Sequence, residues 1–392
     1  MAATVNTLAS DEFTGRRVGS AGGAAARAWL VDQLAAVGAT VNSDDFAVRA
    51  VPDVDAAPTV TWGSNAASHR LTFGREVAIH LASAHIADLR QGPLGVAGAD
   101  DPTGRWLVVP AAMTLFDAYG HAHNAAGLLL GRPVDAHGWQ YTTLAGPDPG
   151  PLAVLTLDPA THRAVLAAAD EGGWLSGNAP LRRLDVTGAN IHATFHAPAP
   201  GGVGLLLTAH YDGVGDHPGL RQPGASDNAS GVSVVLEAAR VLASGPGGIG
   251  LSVALLDGEE IGAFGSAHHA QRLRARGASP LVVNVDGAGR LDHAAAVEAG
   301  GPAHQLLALL DQAGRHTGVP LAAGPVASDN RRYGAAGLAA VGIGAGMAGY
   351  HSPADTPDGV DPGTLAAVAR LVVATAWLAA SAPVTLSSSI GD

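Results

Sequence analysis

Five side chains able to hold a metal lie far apart along the chain but in matching settings: His210, Asp227, Glu260, Asp286 and His351. His210 opens His210-Tyr211-Asp212 after the apolar run Leu205 to Thr208, and Glu260 closes Asp257-Gly258-Glu259-Glu260 after Leu251 to Leu256. Asp286 follows Leu281 to Val285, and His351 stands in the loop after Ala339 to Ile343. Asp227 precedes a helical run that begins at Ser230. Three carboxylates gathered without a counter-charge repel one another and shift each other's pKa, whereas divalent cations neutralise them. Two His with three carboxylates supply a pair of ions if one carboxylate bridges. Nitrogen and oxygen donors without sulfur admit Zn2+, Co2+ or Mn2+, and availability favours Zn2+.

The elements that would gather these groups are legible. The four short apolar runs predict strands buried on both faces, and Ser230 to Leu242, Ser266 to Arg276, Ala303 to His316 and Thr364 to Leu378 predict amphipathic helices between and after them. Asp361 with Pro362 marks a helix start. Side chains leaving the carboxyl ends of parallel strands converge on one crevice, so the five donors face each other. Nearer the start, the Gly-rich Thr14-Gly15-Arg16-Arg17-Val18-Gly19-Ser20 precedes apolar positions Ala26, Trp29, Leu30, Leu34 and Val37, a helical spacing that Gly38 stops before a strand from Ala39 to Val41. Between about Asp53 and Thr187 the texture changes to short apolar runs, such as Trp106 to Pro110 and Leu152 to Leu157, punctuated by Pro and Gly. The expected architecture is therefore α/β: a mixed, mostly parallel central sheet flanked by helices, from residues 1–55 plus 188–392, with a strand-rich inserted domain over 56–187.

Composition narrows the function. A chain of 392 residues with 47% hydrophobic content can bury one large core or two ordinary ones. Its net charge of -12 argues against nucleic acid as a partner. The absence of Cys excludes thiolate nucleophiles, disulfides and cysteine zinc sites, and the absence of Lys excludes Schiff-base chemistry and a P-loop. No Gly-x-Ser-x-Gly elbow supports a serine hydrolase. Arg370 and Thr375 interrupt the most apolar stretch, Leu365 to Leu378, which predicts a soluble chain without a membrane partner. Met1 to Arg17 shows no secretory pattern, as expected of a cytoplasmic protein or the mature form of an exported one.

The motifs His210-x-Asp212, Asp227-Asn228-x-Ser230-Gly231, Glu259-Glu260-x-Gly262 with Gly265-Ser266, Asn284-Val285-Asp286 and Tyr350-His351-Ser352-x-x-Asp355 resemble, in order and spacing, the M28 family of di-zinc peptidases. The resemblance covers Glu12 to Val51 and Ala189 to about Ser381, and the inserted segment is similar to the protease-associated (PA) domain of many members, through Ala125 to Leu130 and Ala153 to Leu157. It implies that Asp227 bridges two zinc ions, with His210 and Asp286 completing one site and Glu260 and His351 the other. Glu259 is implied as general base, Asp212 as a carboxylate that fixes the tautomer of His210, and Tyr350 as a substrate contact. The implied activity is hydrolysis of N-terminal peptide bonds, with peptides as substrates.

Carboxypeptidase action, a single-zinc glutaminyl cyclase and a peptidase-like binding module stay open as alternatives. A related family that also uses HxD and Glu-Glu motifs inserts its extra domain between later ligands, unlike this chain. His268-His269, in an Arg-rich helical stretch, and His121 and His123 are expected on the surface. Gly213 to Gly219 reads as a flexible loop beside the site. Asp329 to Tyr333 reads as a solvated loop or a substrate-facing one. The specificity lining is expected from Gly213 to Pro223, Gly287 to His293 and Val326 to Tyr333, and the insert is expected to overhang the metal edge.

Overall fold

A computed structural model describes residues 1–64, 67–198, 204–244 and 250–381, so residues 382–392 of the expected 188–392 segment lie outside it. Helices α1 (Ala2–Leu8) and α2 (Ala21–Ala36) flank a tight 3-10 segment, Asp11–Arg16. Ser20 caps α2 by accepting the Gly23 N–H at 3.0 Å, and Gly38, at φ 91°, ends the helix as its position predicts. Strand β1 (Thr40–Val54) then carries the chain toward a second sheet. That sheet is built from β2 (Val60–Ser64), β3 (Ala67–Arg70), β4 (Val77–Ile79), β5 (Ile86–Val96), β6 (Trp106–Val108), β7 (Gly127–Gly131), β8 (Ala153–Leu157) and β9 (Trp174–Ala179), in the order β3-β2-β9-β5-β6-β7-β8-β4. Its parallel centre, β5 to β8, buries Trp106, Val108, Leu129 and Leu155 against Val165 of α4 (Pro159–Asp170), while the short α3 (Leu115–Gly120) packs near the other face.

The chain returns along β10 (Leu181–His196), which pairs antiparallel with β1 from Thr40↔Thr194 to Val54↔Leu181. The first sheet continues through β11 (Gly204–His210), β12 (Gly250–Leu256), β13 (Leu281–Val285), β14 (Ala295–Gly300), β15 (Leu321–Ala323) and β16 (Ala340–Gly344), in the order β1-β10-β12-β11-β13-β16-β14-β15. Its centre, β12-β11-β13-β16, is parallel, with β10 and β14 antiparallel at its flanks. Helices α5 (Ser230–Ala243), α6 (Phe264–Ala275), α7 (His304–Thr317), α8 (Asn330–Ala335) and α9 (Pro362–Ser381) cover it. Leu205, Leu207, Val253, Val283 and Val341 lie on one face against α5, α7 and α9, and Leu206, Ala254, Val282 and Ala340 on the other against α6 and α8. Burial of both faces is why these strands read as near-continuous apolar runs, each buried Leu or Val contributing about 1.5–3 kcal/mol.

The structure adds α1, α8, strand β14 and the edge strand β15, none of which the sequence pattern predicts. It also corrects the view of α9. At 20 residues and a mean hydropathy of 1.6 this helix is long and apolar enough to cross a membrane. Thr375 does not interrupt it, because its hydroxyl donates back to the Leu371 carbonyl at 2.8 Å, and Leu365, Val368, Leu371 and Val372 are buried in the first-sheet core.

Candidate active site

Register brings the donors together. His210 is paired with Leu256, which places Asp257 to Glu260 just beyond it, and Thr208 opposite Asn284 puts Asp286 level with His210. Val285 pairs with Ile343 on the other side, so the loop carrying His351 opens at the same edge. All five donors are buried there.

Asp227 lies between the two imidazoles. Its Oδ1 is 3.3 Å from His210 Nε2 and its Oδ2 is 3.2 Å from His351 Nε2. Asp286 Oδ1 approaches His210 Nε2 at 3.3 Å, and Glu260 Oε2 approaches His351 Nε2 at 2.9 Å. Single donor atoms of His210, Asp227 and Glu260 all fall within 4.8 Å of one another. The electrostatics match a cation site. Despite burial, which opposes charging, the carboxylates raise His210 and His351 well above the usual imidazole value, and the two imidazoles hold Asp227 well below the carboxylate range. Burial drives Glu259 well above its ordinary value, with Asp286, Asp329 and Glu260 adding to the shift and His210 opposing it. So dense a set of acidic and imidazole donors fits divalent metal ions.

The loop that presents Asp227 is strung between opposite charges. Asp355 accepts the N–H groups of Ser226 and Asp227 at 2.6 and 3.0 Å. On the other side Arg16, fully buried, donates to the carbonyls of Leu8, Tyr211, Pro223 and Gly224 at 2.7–2.9 Å and reaches Asp227 O at 3.4 Å. Thr14 and Gly15 adopt left-handed backbone to turn Arg16 inward. Arg16 thus braces both the His210-Tyr211-Asp212 strand end and the Asp227 loop. The sequence pattern gave it no role, because its partners are main-chain carbonyls that no side-chain motif marks.

Other motif residues tie the loops together. Asn228 donates to Val285 O at 3.0 Å and accepts the N–H groups of Gly231 and Gly287. A Cβ at Gly231 would stand 2.2 Å from Asn228 Oδ1, so glycine is required there. Ser230 Oγ donates to Ser226 O and accepts the Ala288 N–H. Asp212 lies 3.5 Å from His210 Nδ1, and its two oxygens accept the N–H groups of Glu259 and Glu260 at 3.1 and 3.3 Å. Its closest contacts therefore set the Glu259-Glu260 main chain, with the imidazole at longer range.

A cavity of about 410 Å³ opens on this edge, lined by Asp227, Glu259 and Asp286 and by the apolar Val326, Met347 and Tyr350. Of the expected lining only the start of Val326 to Tyr333 contributes, because Gly213 to Gly215 are buried beneath the Arg16 segment. Tyr350, 42% exposed, stacks on His351 with ring centroids 3.7 Å apart. Within Asp329 to Tyr333, Asp329, Asn330 and Tyr333 are buried, Arg331 is paired with Glu298 at 2.8 Å, and Arg332 donates to Gly262 O. Burial, with Asp212 and Asp286 nearby, pushes Asp329 up to about 7 even though His210 opposes the shift. His121 and His123 are exposed as expected, but His269 is buried, bonded to Tyr333 OH at 2.8 Å, and His268 lies 3.2 Å from Asp44. Helix α6 turns this pair toward β1 and β10, so its Arg neighbours mislead about exposure. The second sheet reaches the edge where Thr142 N–H donates to His351 O at 2.9 Å and Ser352 Oγ donates to Asp135 at 2.9 Å.

Residues 190–376 match the family described as Peptidase family M28. The aminopeptidase YwaD of Bacillus subtilis (strain 168) is 44% identical over 69 residues, which is 18% of this chain and 14% of that relative's length. Among solved structures, the fold is shared with BSAP, a zinc aminopeptidase from Bacillus subtilis, at a TM-score of 0.74 and 20% identity, over 96% of this chain and 93% of that one. It is shared equally with an aminopeptidase from Aneurinibacillus sp. strain AM-1, at 0.72 and 21% identity, over 96% and 92%. The parallel centre of the first sheet and all five buried donors therefore lie in residues 190–376, the part of the chain that matches the model of Peptidase family M28.

Proposed function

We propose that the chain is a di-zinc aminopeptidase that removes residues from the N-termini of peptides. The observation that carries this reading is the placing of Asp227, one carboxylate oxygen toward each of two buried imidazoles, in a cluster completed by Asp286 and Glu260. His210, Asp286 and Asp227 would hold one ion, and Glu260, His351 and Asp227 the other, with Co2+ or Mn2+ as possible substitutes. Bound there, such ions lower the pKa of water and polarise a scissile carbonyl. Glu259 takes the proton of the attacking water on its carboxylate and delivers it to the leaving amide nitrogen. Asp212 keeps Glu259 and Glu260 in place through their main-chain N–H groups, and Arg16 with Asp355 holds the Asp227 loop. Val326, Met347 and Tyr350 receive an apolar side chain, and the acidic rim receives the substrate's ammonium group.

Among the described residues no Arg lines this cavity, and Arg331 is engaged by Glu298, which favours amino-terminal over carboxyl-terminal recognition. The same reading assigns residues 1–55 with 188–392 to the peptidase domain and 56–187 to a PA-like insert whose loops, through Asp135 and Thr142, border the substrate entrance. Elemental analysis of the purified chain, with end-group analysis of products from a mixed peptide library, tests this. Two zinc ions per chain and shortening from the amino end are expected. One tightly held zinc with pyroglutamate formation would replace it with the cyclase reading, and a requirement for a free substrate carboxylate with the carboxypeptidase one.

A further inference from the structure

A second cavity, of about 270 Å³, lies where β1 and β10 leave the first sheet, and it shares no lining residue with the catalytic one. Val54, Leu81, Leu130, Leu144 and Leu181 give it apolar walls. Among the described residues no Asp or Glu lines it, while Arg132, His80 and His217 do.

The cationic groups lack the partners that structural ones have here. Arg16 is buried with a carbonyl for each of its donors, and the partly buried Arg105 and Arg90 also donate to main-chain carbonyls. Half-buried Arg132 makes no side-chain hydrogen bond or ion pair among the described residues, and no carboxylate offsets the lowering that burial imposes on it. His217 Nδ1 is sealed from solvent without a partner. His80 Nδ1 accepts the Ala82 N–H at 3.1 Å, which in the neutral ring leaves Nε2–H as a free donor. Buried donors without acceptors are expensive, and a guanidinium in an apolar setting is matched best by a planar carboxylate.

We propose that this inter-sheet cavity is a binding site for a small carboxylate with an apolar body, about the size of one amino acid. Arg132 takes the carboxylate, His80 donates a further hydrogen bond, and the leucine-lined wall takes the aliphatic part. A cavity of about 270 Å³ falls just below the roughly 300–1,000 Å³ of sites for drug-sized ligands, which fits a single residue better than a long peptide. Two sources share this chemistry: a free amino acid, and the carboxyl end of a short peptide. The site itself stands without the aminopeptidase reading. Only the identification of a free amino acid as a product of the same enzyme rests on it.

Titration calorimetry on the full chain separates these cases, with N-acetyl-L-leucine as the probe because it lacks the free amine of an aminopeptidase substrate. The acid is expected to bind, while its carboxamide and the Arg132→Gln variant each weaken binding by more than about tenfold, the loss of one charge-assisted contact. Arg132→Lys retains part of the affinity, and Glu259→Gln leaves it unchanged, so failure at the metal edge is told apart from failure here. Arg132 has no side-chain hydrogen bond or ion pair to lose among the described residues, so its variants should fold, which a thermal melt checks. If N-acetyl-glycyl-glycyl-leucine binds as well as the single residue, the source is a peptide carboxyl end. If it does not, the source is a free amino acid. No heat from the acid at millimolar concentration, or an affinity indifferent to both Arg132→Gln and the carboxamide, overturns the proposal.

Discussion

The catalytic-edge cavity and the inter-sheet cavity differ in how their charge is balanced. The first gathers Asp227, Glu259 and Asp286 with buried imidazoles and sets Arg16 behind the Asp227 loop, its guanidinium fully occupied by carbonyls. The second has Arg132, His80 and His217 with no acid among the described residues that line it. One chain thus builds a site with an excess of acidic groups and, apart from it, a site lined by basic groups alone among the described residues. Which groups are left without partners, more than cavity size, distinguishes what each can hold.

The largest test of the catalytic half is Glu259→Gln. Turnover of an amino-acid nitroanilide should fall by about 10²–10⁴-fold, the usual contribution of a general base, with zinc content unchanged. Unaltered turnover with metal present would remove Glu259 from the reaction. Next in size is Arg16→Met. It strips several buried carbonyls of their donor and removes one positive charge from beside Asp355 and Asp227, so urea denaturation should show a loss of about 3–5 kcal/mol at unchanged m. A loss below about 1 kcal/mol would mean that the acidic edge does not need this brace. Gly231→Ala, whose Cβ meets Asn228, should destabilise by about 1–3 kcal/mol and lower zinc affinity measured against a competing chelator.

The smallest effect belongs to the second cavity. Burial, aided by the charge of Arg17, pushes His217 down to about 4. Between its unfolded value near 6.5 and that folded one, only the unfolded chain takes up the proton. This contribution to stability is therefore full above about pH 6.5 and falls by up to about 1.4 kcal/mol per pH unit as the solution is acidified toward 4. His217→Asn should remove that slope from a series of denaturation curves, and N-acetyl-L-leucine, by placing an anion nearby, should flatten it in the wild type.

The donor edge was legible in sequence because each element there has a local signature: β13 is an apolar run, broken only by Asn284, that stops at Asp286, and the helix after Asp227 opens at Ser230-Gly231. Arg16 was not, since its carbonyl partners lie as many as 211 positions away and carry no side-chain code. His269 was misjudged for a related reason. Its neighbours Arg272 and Arg274 suggest solvent, but Tyr333 covers it from a distant helix. Strands β14 and β15 escaped notice because Ala and Gly at a sheet edge give neither a long apolar run nor clean alternation. The inter-sheet cavity depends on Val54, Leu130 and Leu181 meeting in space, which no segment foretells.

The ribbon of β1 and β10 closes on itself before the second sheet begins: Val54 pairs with Leu181, and the Asp55 N–H donates to the Pro180 carbonyl at 3.3 Å. To the first sheet, everything from residue 56 to 179 occupies the place of a hairpin tip. A two-residue Asn-Gly connection could span the same gap, so the ribbon is a natural splice point at which the strand-rich portion could be gained, exchanged or trimmed without rethreading the first sheet.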